Sequence, residues 1–554
     1  MKLFFRRFAP YLKGHYGRFV LVLIASLVVA LSTAWGTYLV KPTLDDIFIQ
    51  KDVRMLAILP FLVILAYLGK SGGIYIQTYL TNYIGLDIIQ QLRKRMLEHL
   101  LQMELGFFNR TKKGELIARI TNDIALVRAS LSNYLAESIR EGLTIIGLIG
   151  VVIYQSPKLA FWIVLLLFAA IPLSKILKKV KKLSKENQET NARMTARLSE
   201  IFHSIEVIKT SNGEALELQA FQKENEAFFQ VSLKSIKYAE ISSPLMEFLG
   251  SLLIALVIYS GGREVISGHM SVGAFFSFIT ALFMLYTPLK RLVRIMASFQ
   301  EALVAGERIH EILERVSPLV EGTHILEKPI EHIAFRHVHF TYDQNAPLAL
   351  QDICLEWRTN QIIALKGKSG SGKSSLVNLI LRLYEPTSGE ITINGMPIAS
   401  LQQKSLRHQI GIVTQKVFIF SGSVAENVAY GLEIEPQRVR TCLQRAQALD
   451  FVQAMGGLQA QLEEFGANLS GGQRQRIAIA RALYRDARVL IFDEATSALD
   501  SHTQAGIYQT ITELRENRMV IMISHNYESL RIASHVYALE NGRLQEYNPT
   551  PQEE

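Results

Sequence analysis

The feature that most limits the fold is a run of 22 residues without a charge, Phe19–Val40. A helix of that length crosses a hydrocarbon layer of roughly 30 Å. The run is too long for the core of a secretion signal, and no small-residue cleavage site follows it promptly. It is read as a first, uncleaved span. The segment before it, MKLFFRRFAPYLKGHYGR, is basic and aromatic, as expected of an interfacial helix. Five more apolar stretches follow, so spans are expected at about 19–40, 55–80, 138–157, 159–176, 244–266 and 270–292. Several charge-free runs fall short of the usual 20 residues. Helices that project beyond the bilayer and turn interrupting charges toward an interior cavity accommodate this.

Charge supplies the orientation. The chain has 59 Lys+Arg against 50 Asp+Glu, a net of +9, which in bulk would suit nucleic-acid binding. The excess is not evenly spread. Residues 1–320 carry 37 basic and 25 acidic residues, net +12, and residues 321–554 carry 22 and 25, net −3. The loop after the first span (Lys41, Asp45, Asp46, Lys51, Asp52, Arg54) is balanced. The segment after the second holds Arg93, Lys94, Arg95, Arg110, Lys112, Lys113, Arg119 and Arg128, and the one after the fourth opens with Lys175, Lys178, Lys179, Lys181 and Lys182. The positive-inside rule then puts both termini and both long segments in the cytoplasm. The basic excess marks topology, and no nucleic-acid partner is expected. Two cysteines exclude a disulfide scaffold.

The long segments, roughly 85–137 and 175–240, lack proline and keep helical periodicity, so they are read as spans continuing into the cytosol. Each breaks near its middle, at 107–116 (FFNRTKKGEL) and at 209–217 (KTSNGEALE), where Gly, Asn and Ser suit tight turns. Such turns are hairpin corners or contacts to another domain. Two domains are expected, 1–320 in the membrane and 321–554 outside it.

The second half carries the chemistry. ALKGKSGSGKSS at 364–375 follows an apolar strand, Ile362–Leu365, and opens an apolar helix, Leu376–Leu383. That is the strand–loop–helix context of a phosphate loop. Gly367, Ser369, Gly370 and Gly372 let backbone N–H groups surround phosphates; Lys373 reaches the β and γ phosphates; Ser374, followed by Ser375, offers a hydroxyl to Mg²⁺. RVLIFDE at 488–494 is an apolar strand ending in Asp493, suited to the Mg²⁺ sphere, and Glu494, suited to activating a water. MVIMIS at 519–524 is another buried strand and ends at His525, a candidate γ-phosphate contact. Between them, Leu469, Ser470, Gly471, Gly472 and Gln473 precede a helix whose N-terminus is a second anion site. One nucleotide has one γ phosphate, so two such sites point to a head-to-tail dimer in which each LSGGQ covers the other chain's ATP.

These motifs, in this order, resemble the nucleotide-binding domains of ABC transporters. With the preceding spans, the chain resembles an exporter-type half-transporter (type IV fold). The fold implied is a polytopic α-helical membrane domain of six spans with long cytoplasmic extensions, followed by an α/β P-loop ABC domain. The resemblance gives further roles. Tyr342 (HFTYD) matches the aromatic that stacks on adenine, and Gln415 (IVTQ) the residue that meets Mg²⁺ and the membrane domain. Ser497–Asp500 (SALD) matches the loop at the dimer interface, Glu494 the catalytic base and His525 the switch histidine. Ser374-Ser375 departs from the frequent Ser-Thr. Mg²⁺ would be held by Ser374 and Gln415, with Asp493 in the outer shell.

The membrane half is similar to the lipid A/lipopolysaccharide flippase family (MsbA type). LVKPTLDDIF at 39–48, FFNRTKKGELIARITND at 107–123, IREGLTIIGL at 139–148 and TPLKRL at 287–292 carry the likeness. That likeness matches Lys70, Arg140 and Lys290 to cavity residues that grip a phosphorylated glucosamine head. Lys70, isolated in an apolar span, is also a functional candidate by itself. The resemblance implies a homodimer in the bacterial inner membrane that uses ATP and Mg²⁺ to flip an anionic lipid by alternating access. A drug or peptide exporter, and a flippase for another lipid such as a lipid-linked oligosaccharide, remain as alternatives at this point.

Overall fold

The computed structural model describes residues 6–343, 346–496, 499–524 and 527–547, with side chains left out at 162–178 and at a few other helical positions. The chain divides into two compact units. One comprises Met1–Leu97 and Ile117–Leu313; the other comprises Glu98–Leu116 and Glu314–Glu554.

The first unit is built on long helices: α1 (Tyr16–Tyr38), α2 (Val53–Leu101), then the short α3 (Leu105–Arg110) of the other unit, α4 (Leu135–Gln155), α5 (Pro157–His203), α6 (Glu214–Glu240), α7 (Ser242–Ile266) and α8 (Val272–Leu313). Among the described residues, three helical segments are long and apolar enough to cross a membrane: Pro10–Ile49, Val53–Leu101 and Val272–Leu313. The other expected spans fall on α4, α5 and α7. Pro60 lies inside α2 and Pro288 inside α8. Neighbouring helices let such prolines stand.

The close pair 138–157 and 159–176 divides elsewhere than at Lys158. Ser156 is extended (φ −161°, ψ 103°) and its hydroxyl accepts the Leu159 N–H at 3.3 Å. Pro157 then occupies the first helical position, where its missing N–H costs nothing. α5 runs from there for 47 residues, so the stretch expected as a span at 159–176 and the segment after it are one helix. The N-terminal segment is helical, with a 3-10 helix over Ala9–His15 leading into α1. Phe8 and Tyr11 are buried, the Arg95 guanidinium donates to the Tyr11 hydroxyl at 3.1 Å, and the His15 ring meets Asp87 at 2.9 Å. This segment is thus docked on α2.

α1 packs on α4, and α4 on α8, while α5 packs along α6 and α7. Leu148, Val152, Leu159, Val257, Phe278 and Leu282 join the two groups in one apolar cluster. The α1–α2 contact depends on small residues. A Cβ on Gly73 would lie 2.7 Å from Val29 Cγ2 and 3.1 Å from the Ala25 carbonyl oxygen. One on Gly69 would lie 2.8 Å from Ser32 Oγ. Gly69 and Gly73 stand four apart on one helix face, the spacing that lets membrane helices approach closely. The LVKPTLDDIF segment, expected in a loop, instead stays helical as far as Ile49, and it caps α8: Asp45 Oδ1 accepts the Gly273 N–H at 2.8 Å, while Ser271 Oγ accepts the Ala274 N–H at 3.1 Å. A carboxylate there also complements the positive end of the helix dipole.

In the second unit the strands, in chain order, are β1 (His332–Phe340), β2 (Leu350–Arg358), β3 (Ile362–Lys366), β4 (Ser388–Ile393), β5 (Met396–Pro397), β6 (Ile410–Val413), β7 (Gly422–Ser423), β8 (Gln461–Leu462), β9 (Val489–Asp493), β10 (Met519–Ile523), β11 (His535–Glu540) and β12 (Arg543–Glu546). One sheet is antiparallel, in the order β2-β1-β4-β5. The main sheet runs β12-β11-β3-β10-β9-β6 and is parallel apart from β12. Every residue of β10 is buried, as is all of β3 and β9 except the last position. Strands covered on both faces read as continuous apolar runs, and these do. Helices α9 (Lys373–Ile380), α10 (Gly471–Tyr484) and α11 (Ser501–Leu514) complete the parts that matter for the site. α9 begins three residues before the expected Leu376. Gly372 has φ +110° and turns the chain so that Lys373 is the first helical residue. It also ends sooner, because Arg382 takes φ +48°.

Replacing Gly73 by Val should cost about 1–3 kcal/mol through overpacking against Val29 and the Ala25 carbonyl. The same change at Gly72, which has no atom within 4 Å of its would-be Cβ, should leave the thermal midpoint of the detergent-solubilised protein almost unmoved. Equal midpoints for the two variants would refute the small-residue contact.

Candidate functional site

β3, β10 and β9 are adjacent and parallel, so their C-terminal ends lie along one edge, where α/β sheets bind ligands. The loop after β3 holds Gly367 (φ +155°), Gly370 (φ +80°) and Gly372 (φ +110°). A Cβ on Gly367 would lie 2.3 Å from the Leu539 carbonyl oxygen, and one on Gly372 would lie 2.5 Å from that of Ala349. Glycine is required at both. The Lys373 ammonium folds back over this loop and donates to the carbonyls of Gly367 (2.5 Å) and Lys368 (2.9 Å). Burial lowers its pKa, opposed by the charges of Glu494 and Asp493. Ser371 Oγ is buried in the same loop without a partner. A loop with an unsatisfied buried hydroxyl and a cation resting on its own carbonyls fits a polyanion. Ser369 lies exposed on the same loop, and Ser375 is buried just beyond it.

Asp493 ends β9, and its Oδ2 accepts from Ser374 Oγ at 3.5 Å. Burial raises the Asp493 carboxyl, as does the neighbouring Glu494 charge, while Ser374 and Lys373 pull it down. Two hard oxygen donors side by side suit Mg²⁺. Glu494 has φ +50°, a conformation rare for a residue with a side chain. Two bonds hold it: its N–H donates to the Ile523 carbonyl at 2.9 Å, and the buried Gln475 amide donates to its carbonyl at 3.0 Å. Its carboxylate accepts from the Gln415 amide at 2.6 Å. Gln415, Ser374, Asp493 and Glu494 are thus linked pairwise at the strand ends. His525 and Ser497 lie outside the described residues.

Tyr342 stands beside the loop, with its hydroxyl 2.9 Å from Ser375 Oγ. Phe340 and Tyr384 pack edge-on at 4.7 and 5.1 Å and orient its half-exposed ring. Ser470 caps α10 in a reciprocal box with Gln473: its hydroxyl accepts the Gln473 N–H at 3.2 Å, and Gln473 Oε1 accepts the Ser470 N–H at 2.8 Å. Gly471 and Gly472 form the first turn, and Leu469 is buried beneath it. Asp500 caps α11 through the Thr503 N–H at 2.9 Å, which holds its carboxyl below the ordinary range.

The turn at 107–116 belongs to this unit. Asn109 donates to the Tyr384 hydroxyl at 2.8 Å, and the Arg315 guanidinium lies 5.0 Å over the Phe107 ring. Tyr384 therefore touches both this turn and Tyr342. The turn at 209–217 lies in the first unit, closed by Asn212 (φ +52°), the Gly213 N–H to the Ile208 carbonyl and a Lys209–Glu214 pair at 3.0 Å.

In the first unit, Lys70 lines a pocket of about 90 Å³ with Ser32, Thr33, Thr37, Tyr67 and Thr280, its ammonium 5.8 Å over the Tyr67 ring. Lys290 is exposed and lies 5.8 Å over Tyr286. Arg140 is buried and bonds Glu141 at 2.8 Å and Gln77 at 3.0 Å; Arg291 bonds the same Glu141 oxygen at 3.0 Å. No hydrogen bond or ion pair joins Lys70, Arg140 and Lys290 to one another among the described residues. Sequence reasoning missed Gln77, Glu141, Arg291, Tyr384 and Gln475. Glu141 and Arg291 were visible as charges adjoining Arg140 and Lys290; Gln475 was visible only as a polar position on the inner face of its helix.

A family model described as "ABC transporter transmembrane region" matches residues 19–289, and one described as "ABC transporter" matches residues 350–497. A membrane domain joined to an ATP-binding domain of this type in one chain is the plan of an ABC half-transporter. Among similar proteins, the "ATP-dependent lipid A-core flippase" of Syntrophus aciditrophicus (strain SB) is 36% identical over 98% of this chain and 91% of its own length. The protein of that name from Desulfotalea psychrophila is 35% identical over 95% and 92%, and the one from Vibrio parahaemolyticus 31% over 98% and 94%. The chain belongs to the ABC transporter family and, within it, to the family of the ATP-dependent lipid A-core flippases.

Replacing Tyr384 by Phe removes the Asn109 bond and about 0.5–1.5 kcal/mol. Amide hydrogen exchange of Leu105–Arg110 should quicken by about two- to tenfold at unchanged far-UV circular dichroism. Unaltered exchange would mean that the hydroxyl does not hold the turn.

Proposed function

We propose that the protein hydrolyses ATP to flip the core-bearing lipid A precursor of lipopolysaccharide from the inner to the outer leaflet of the bacterial inner membrane. The observation that carries this reading is the pairing of Ser374 with Asp493 (3.5 Å) and Gln415 with Glu494 (2.6 Å) beside a glycine-built phosphate loop. The lipid is inferred from the flippases that it resembles over nearly the whole chain. ATP and Mg²⁺ are the expected ligands, a homodimer the working form, and the cytoplasm the side of the termini and the ATP-binding domain.

Gly367, Gly370 and Gly372 open the loop so that backbone N–H groups surround the phosphates, and Lys373 exchanges its loop carbonyls for phosphate oxygens. Tyr342 stacks on adenine. Mg²⁺, when bound, offsets charge on the β and γ phosphates, and Ser374, Gln415 and the nearby Asp493 are the residues that would hold it. Glu494 accepts a proton from the attacking water, and His525 contacts the γ phosphate. Ser470, Gly471 and Gly472 of one protomer close on the ATP of its partner, with Asp500 at the interface. Closure passes to the membrane helices through the turns near 107–116 and 209–217 and reopens the cavity on the other side. In that cavity Lys70, Arg140 and Lys290 meet the anionic head. Arg140 then shares its guanidinium between Glu141 and a phosphate.

Glu494→Gln should keep ATP binding and lower turnover by about a hundred- to ten-thousand-fold. Lys373→Ala should weaken nucleotide binding itself by about 1.5–3 kcal/mol. Full ATPase activity in the first variant would overturn the assignment of the base.

Lipopolysaccharide added to the reconstituted protein should stimulate ATPase, and the combined Lys70→Ala, Arg140→Ala and Lys290→Ala variant should lose the stimulation while keeping the basal rate. Mass spectrometry of co-purified lipid should find lipid A species with the wild type. Stimulation by drugs but not by lipopolysaccharide would favour a drug exporter.

A further inference from the structure

We propose that the antiparallel sheet of the ATP-binding domain carries a transition-metal site of the zinc class, with His337, Asp352 and Cys354 as ligands. β1 and β2 pair antiparallel, and their register slips between Phe335 and Val338. His337 within that slip has φ +49°, and Asp352 on the facing strand has φ +51°. A bulge of this kind re-aims side chains out of the regular pleat. Cys354 stands two positions beyond Asp352, on the same face of β2. The three side chains converge at the surface. His337 Nδ1 lies 2.7 Å from Asp352 Oδ1 and 3.5 Å from Cys354 Sγ, and Sγ lies 4.0 Å from Oδ1.

The three donors are close enough to converge on one ion once the His337–Asp352 hydrogen bond opens. Zinc bonds of about 2.0–2.3 Å in tetrahedral geometry set donors about 3.3–3.8 Å apart. The sulfur–nitrogen edge already falls in that range, and the other two edges need adjustments of about half an ångström. The donor set also selects the metal. A thiolate with an imidazole and a carboxylate favours zinc, cobalt or nickel over Mg²⁺, which takes oxygen ligands. All three residues are exposed, so an ion can enter and a water can take the fourth position. On binding, the Cys354 S–H bond breaks and a sulfur–metal bond forms, its proton passing to water. The hydrogen that His337 Nδ1 donates to Asp352 moves through water to Nε2, which frees Nδ1 for the metal, and the metal gives up hydration waters. Binding should therefore release protons and weaken as pH falls. The neighbouring His339 is engaged elsewhere, since its Nδ1 accepts the Asp352 N–H at 3.4 Å.

Cobalt(II) is the probe, titrated into the full-length, tag-free protein in detergent after chelator treatment. One cobalt per chain should bind, with a thiolate-to-cobalt charge-transfer band and tetrahedral visible absorption, and zinc should displace it. Cys354→Ser should abolish the charge-transfer band. His337→Asn and Asp352→Asn, which tolerate the left-handed backbone, should weaken binding about tenfold or more. Cys442→Ser should change nothing, because that thiol is buried in the core. No saturable cobalt absorption in the wild type, or an undiminished band in Cys354→Ser, overturns the site.

Discussion

A backbone amide in hydrocarbon has no water to bond, and this constraint shapes the first unit. Each segment that crosses must satisfy its own N–H and C=O groups, which leaves helices. Apolar surface gives little drive for such helices to associate, because lipid tails are equally apolar. Close packing must supply it. Gly69 and Gly73 remove the side chains that would keep α2 from α1, and Ser32, Val29 and Ala25 fill the space. At the polar ends the demand changes to capping. Asp45 and Ser271 satisfy the first amides of α8, and Ser156 begins α5. The LVKPTLDDIF and Ser156-Pro157 sequences are therefore explained by helix ends before any transport role is invoked.

The second unit answers to a different constraint, burial of parallel strands on both faces. With β3 between β11 and β10, and β9 beyond β10, the residues that leave the sheet at one edge are Gly367, Asp493, Glu494 and Ser524. Burial also sets the electrostatics there. It raises Asp493 and lowers Lys373, so each is least costly in its charged form when the other, or a bound ion, is close. The φ of +50° at Glu494 is tolerated because Ile523 and Gln475 fix the peptide groups on either side. Gln475 lies on the helix that begins with Ser470. The candidate base of one ATP site is thus anchored to the helix proposed to face the ATP of the partner.

Most of this second unit was legible in the sequence, because the motifs are local. A phosphate loop needs glycines at fixed spacing between a strand and a helix, and 364–375 states all three parts. Boundaries were less legible where one residue's backbone decides them. The start of α9 depends on Gly372 at φ +110°, and the break between α4 and α5 depends on Ser156 rather than on the charged Lys158. Spans were readable as hydrophobicity but not as contacts. The Gly69–Gly73 spacing was present, yet only the facing residues give it meaning. The polar network around Arg140 was hidden for the same reason. Gln77 and Glu141 lie 63 positions and one position away in sequence, and no periodicity relates them.

That network bears on how a membrane protein can keep a cation ready for an anionic head. An unpaired guanidinium buried in a low-dielectric interior is costly, so Arg140 needs a partner. Glu141 provides it, but Glu141 also binds Arg291 through the same oxygen. Two guanidiniums share one carboxylate, so the group keeps a net positive charge while each member remains hydrogen-bonded. On the proposed reading, an arriving phosphate meets an excess charge without having to break a neutral pair. Lys70 and Lys290 differ: each lies near a tyrosine ring, which stabilises an ammonium weakly and leaves its donors largely free. On the proposed reading, Arg140 supplies a fixed, oriented contact and the two lysines supply adaptable ones. That division suits a headgroup whose phosphates must be gripped in one state of the transporter and released in the next.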